Sequence, residues 1–116
     1  MTDKKLCFKV LERPVEIRIS DTGSGLNILI TGGDKPHIGA VSVKSPGRAL
    51  ETVLFPSHKD NVISDKWAVT FSEKYNAAAA VSCGIHYDNI SKDEIKEVVK
   101  RMDEILEELT GKGQGI

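Results

Sequence analysis

SKDEIKEVVKRMDEILEELTG, residues 91–111, decides the fold. Plotted at 100° per residue, Ile95, Val98, Val99, Met102, Ile105, Leu106 and Leu109 fall within an arc of about 120°, and Lys, Glu, Asp and Arg fill the other side. Ser91 with Glu94 three residues later is a capping-box sequence that starts the helix just after Ser91, and Gly111 supplies the stop. Each large apolar side chain withdrawn from water stabilises by roughly 1.5–3 kcal/mol gross, far more than helix propensity supplies. Such a helix must dock on a sheet or on a partner, and Leu106→Asp should unfold the domain or break the docking.

Upstream the pattern is strand. Leu6, Phe8 and Val10 alternate with polar residues, as do Val15, Ile17 and Ile19, then Leu26, Ile28 and Ile30. Asp21-Thr22-Gly23-Ser24-Gly25 suits a hairpin connection, and Gly32-Gly33-Asp34-Lys35-Pro36 breaks the alternation again. Residues 38–43 and 49–55 are two further strand candidates. Over 59–76, Ile63, Trp67, Phe71 and Tyr75 recur every fourth residue, whereas Trp67, Val69 and Phe71 also alternate; the length and polar ends select helix. Residues 77–85, AAAAVSCGI, read as a buried strand. Strands in runs with segregated helices give the class α+β: an antiparallel meander or sandwich-like sheet with two helices, the C-terminal one docked on the sheet or a partner. The expected organisation is a single domain over residues 1–110 and a loose tail over 111–116.

The 116 residues are 40% hydrophobic and 28% charged, with 16 basic against 17 acidic side chains and a formal net charge of -1. That balance argues against a nucleic-acid or anionic-membrane role, which needs a basic excess on one face. No apolar run approaches the ~20 residues that cross a bilayer, and the expected location is the cytoplasm. Cys7 and Cys83 both fall in apolar stretches and are expected as buried, reduced thiols.

Chemistry gathers at turns. His37 follows Asp34, His58 precedes Asp60 and His86 precedes Asp88, each at a strand end or in a loop, where rigid strands position binding groups. Converging on one ion, His37, His58 and His86 would make a three-histidine metal site. No tight His-x-x-x-His spacing ties any pair, so independent loop histidines bonded to nearby carboxylates or carbonyls are the favoured reading. Gly32 and Gly33 let backbone amides approach an anion, with Lys35 and His37 adding positive charge; the plainer alternative is a glycine turn between strands.

Three segments, GGDKPHIGAV (32–41), SHKD (57–60) and GIHYDNIS (84–91), resemble in their order the small prenylated-flavin chaperone-like proteins, typified by the D subunit of bacterial gallate decarboxylase. The resemblance extends over most of the chain. It implies an α+β fold related to eukaryotic proteasome-assembly chaperones and a homodimer. It also implies a helper role beside a large decarboxylase that uses prenylated flavin mononucleotide, with prenylated FMN or FMN as cofactor. Carried over by position, it points to Gly32, Gly33, His37 and Gly39, to His58 and Asp60, and to Gly84, His86 and Asp88; Lys35, from the glycine-turn reading above, joins them as a phosphate-facing charge. Two other readings stay open: a small metal-dependent or histidine–aspartate acid–base enzyme, and a ligand-free assembly module.

Overall fold

Alternation along the first strands resolves into a sheet with one covered face. The structure, a computed structural model, describes residues 3–56 and 59–111. Strands β1 (Lys4–Val10), β2 (Arg13–Asp21) and β3 (Gly25–Gly33) form a meander; β4 (Ala40–Lys44) and β5 (Glu51–Leu54) follow, then α1 (Asn61–Tyr75), β6 (Ala78–His86) and α2 (Lys92–Thr110). The first connection is a two-residue turn between Val10 and Arg13, with Leu11 and Glu12 both at positive φ, 49° and 64°. That is the backbone a tight hairpin requires, here without the usual Asn or Gly.

The strand order is β1-β2-β3-β6-β4-β5. β6, last in sequence, inserts between β3 and β4, parallel to the first and antiparallel to the second; every other pairing is antiparallel. The result is one open α+β sheet, a meander only through β3. Val15, Ile17, Ile19, Ile28, Ile30, Val81 and Cys83 point to the covered face, where Trp67 and Phe71 of α1 and Met102, Ile105 and Leu106 of α2 complete the core.

Helix wins over strand for residues 61–75 because the four-residue spacing stacks its rings: Trp67 and Phe71 lie 5.9 Å apart between centroids, Phe71 and Tyr75 6.0 Å. Asn76, at φ 50°, closes the helix in the left-handed conformation. Ser42 of β4 donates to Asp65 of α1 at 2.5 Å, so the buried Ser64 hydroxyl at 2.6 Å must donate to Ser42, and Thr52 of β5 adds a second bond to Asp65. This polar clasp fixes α1 over β4 and β5. At α2 the capping box forms in both directions, and Gly111 is the left-handed cap at φ 75°. The rest of the expected tail, residues 112–116, lies outside the described residues.

One expectation is corrected. Cys83 is fully buried, but Cys7 is exposed. Cys7 lies between Leu6 and Phe8, so strand geometry turns it to the uncovered face.

Candidate functional site

The site forms where β6 outruns β4. β4 begins at Ala40, opposite Cys83, so the next part of β6 has no strand beside it there. Asp60, at the start of α1 and 8% exposed, fills the gap: its Oδ1 accepts the Ile85 N–H at 3.0 Å. Its Oδ2 lies 3.2 Å from His37 Nε2. His37 Nδ1 lies 2.9 Å from the Lys35 carbonyl, which only accepts, so both ring nitrogens face oxygen acceptors.

The loop carrying His37 is laid against β6 by glycine. A Cβ on Gly84 would overlap the His37 carbonyl, and one on Gly33, at φ 80°, would overlap the His86 carbonyl. Gly32 sits so close to β2 that its Cβ would stand 2.6 Å from the Pro14 carbonyl. The close approach these glycines permit is therefore to the chain's own backbone. The amides following Gly33 are used in the same way, since Asp34 N–H donates to the His86 carbonyl at 2.6 Å and Lys35 N–H at 3.4 Å. Gly39 N–H donates to the Cys83 carbonyl at 2.9 Å, and its own carbonyl accepts from Phe55 at 2.8 Å.

Two of the expected histidines meet. His37 and His86 lie 6.4 Å apart between ring centroids, at 73° to each other. His86 Nε2 is 3.1 Å from Asp88, which also takes Lys35 at 3.6 Å. His58 lies outside the described residues. Among the described residues no three His, Cys, Asp or Glu side chains gather as a metal-ligand set.

His37, Asp60 and His86 form the polar side of a cleft of about 370 Å³, within the range of small-ligand sites. Lys59 adds a cation. The remaining walls are mostly aliphatic: Ile63 from α1, Ile85 from β6, Ile90 from the following turn, and Val98 and Val99 from α2. Val62 and Ile95, 55% and 47% exposed, also line it. Tyr87 anchors the β6 end by donating to the Val10 carbonyl at 2.6 Å, and burial pushes its phenol above the ordinary range. A second cleft of about 380 Å³ lies at the far end of the sheet beside Lys44 and Arg48, without a histidine.

Sequence reading missed Lys59, the aliphatic walls and Arg13. Val98 and Val99 were legible as apolar, but a docking stripe and a cleft wall look alike in one dimension. Arg13 donates to Asp34 at 2.6 Å from 21 residues away, a partnership no local pattern reveals. The Asp88 N–H and then Arg13 hold the Asp34 carboxyl below its ordinary range.

A single mostly antiparallel sheet with both helices on one face and a histidine-edged aliphatic cleft places the chain among small α+β proteins. Across residues 10–114 it matches the prenylated flavin chaperone LpdD-like domain, and it belongs to that family. It is 34% identical over 92 residues to Protein LpdD of Lactiplantibacillus plantarum, an alignment covering 75% of this chain and 68% of that one. Its fold is similar to a chain in the crystal structure of a chaperone complex for yeast 20S proteasome assembly. That match has a TM-score of 0.56, 12% identity and coverage of 94% and 96% of the two chains.

Proposed function

We propose that the chain is an accessory protein that holds a prenylated flavin mononucleotide for a decarboxylase using that cofactor. The observation that carries this reading is the meeting of His37 and His86 at one side of a largely aliphatic cleft. An imidazole N–H and an ammonium group suit a phosphate, and branched aliphatic walls suit the prenyl-modified ring system. Lys59 and His86 would share the phosphate, Asp60 and the Lys35 carbonyl would hold the His37 ring at the edge of the cleft, and Ile63, Ile85 and Val98 would exclude water from the flavin ring. Gly33, Gly39 and Gly84 serve by laying the His37 loop on β6, and Gly32 by letting the end of β3 close on β2. Lys35 and Asp88 orient His86 from outside the cleft.

The reading makes this chain a carrier, with decarboxylation performed by the partner. Pairing of two copies belongs to the same proposal, and a sedimentation mass of 12.7 kDa at working concentration would remove that part of it. The central test is titration of the purified chain into reduced prenylated FMN under anaerobic conditions. A saturable change in absorbance or fluorescence, weakened roughly tenfold or more in His37→Ala and His86→Ala, is expected. An unchanged spectrum at high protein concentration would overturn the reading.

A further inference from the structure

Five of the seven exposed large apolar side chains among the described residues lie on or near one border of the sheet: Val53, Leu54 and Phe55 on the border strand and at its end, Val43 on the adjoining β4 and Ile38 in the loop before β4. That border is β5, last in the strand order and exposed along its whole length. The two borders are built differently. β1 carries Lys4, Lys5 and Lys9, the charges that ordinarily keep a free strand edge from pairing. β5 has no lysine, no proline and no left-handed residue, and Glu51, its only charge, has no ion-pair partner among the described residues. The bond from Phe55 N–H to the Gly39 carbonyl ties this border to the loop that presents His37. β5 therefore runs up to the cleft.

We infer that β5 is the docking edge for an extended segment of a partner polypeptide, added to the sheet as a seventh strand. Unpaired strand N–H and C=O groups are satisfied by another extended backbone. Val53 and Leu54 ask for apolar side chains on the incoming strand, and Glu51 asks for a lysine or arginine. A second copy of this chain answers the last requirement badly. Strand side chains alternate between faces, so a symmetric antiparallel pair of β5 strands must centre on Thr52 or Val53, which sets Glu51 against Val53 or Phe55 of the other copy. The choice of partner rests on the accessory role proposed above; the edge rests on its own geometry. A client strand held there would lie beside the cleft, which suits transfer of a ligand without release to solvent.

The test uses the full chain with the large subunit of a prenylated-flavin decarboxylase, read by hydrogen exchange and by affinity. The complex is expected to slow exchange of the β5 amides roughly tenfold or more. Val53→Lys and Leu54→Lys, both at exposed positions, should each weaken binding by about tenfold, and Glu51→Lys several-fold, with the flavin titration of the free chain unchanged. Failure to form a complex, unchanged β5 exchange within one, or lysine variants that fold and bind normally would each overturn the inference. So would β5 protection that rises with the concentration of the free chain, which would assign the edge to a second copy. If the free chain leaves the flavin spectrum unchanged while the large subunit protects β5, the flavin reading falls and the docking edge stands.

Discussion

Asp60 serves two elements with one carboxylate, closing the unpaired end of β6 and holding His37. Removing it strands the Ile85 N–H, and an unsatisfied backbone donor at a part-buried position costs about 1–3 kcal/mol. Asp60→Ala should therefore lower urea stability by about that amount, whereas Asp60→Asn, which keeps one acceptor oxygen, should lose less. Equal losses in the two variants would show that the Ile85 bond contributes nothing. Asp34 gives a pH test. The fold holds its carboxyl below the unfolded value through the Asp88 N–H and Arg13, so its contribution is present above the unfolded pKa of about 3.9. The contribution is lost as pH falls through the lower folded value. Thermal unfolding of wild type and Asp34→Asn should differ most near pH 6 and converge toward pH 2; a constant difference would contradict the linkage.

Local periodicity specifies an element well and its neighbours poorly. Every strand and both helices were legible from alternation, short apolar runs between turn residues, four-residue spacing and the Ser91–Glu94 box, because each depends on residues close in sequence. The insertion of β6 between β3 and β4 was not legible, since parallel pairing with β3 joins residues about fifty positions apart and leaves no local trace. The same limit hid the site: the loop histidines were visible, but not that Asp60 would couple His37 to Ile85. Cys7 differs for another reason: its hydrophobic neighbours suggest burial, but the strand parity that places Leu6 and Phe8 inward turns it outward. Energetics follow the same division. Ser91→Ala removes one half of a cap at the exposed end of α2 and should cost about 0.5–2 kcal/mol. Trp67→Ala, at a fully buried position that no rearrangement readily refills, should cost about 3–5 kcal/mol. Denaturant titration of the two variants should rank them in that order.

Across the whole molecule, the two cysteines report on different depths of the fold. Cys7 stands on the uncovered face of the β1 border, open to reagents in the native state. Cys83 lies in β6 between β3 and β4, and burial, with the charge of Asp60 added, pushes its thiol well above the ordinary range. A thiol reagent attacks the thiolate, so Cys83 should be silent until the sheet opens. One thiol per chain should react rapidly under native conditions, and the second only at the rate set by the opening equilibrium, reaching rapid reaction in denaturant. Because Ile85 and His86 line the cleft two and three residues beyond Cys83, a ligand bound there should stabilise this end of β6 and slow the second phase further. Two rapid thiols in the native chain would place β6 outside the protected core. A slow phase indifferent to saturating ligand would show that binding occurs elsewhere than against β6.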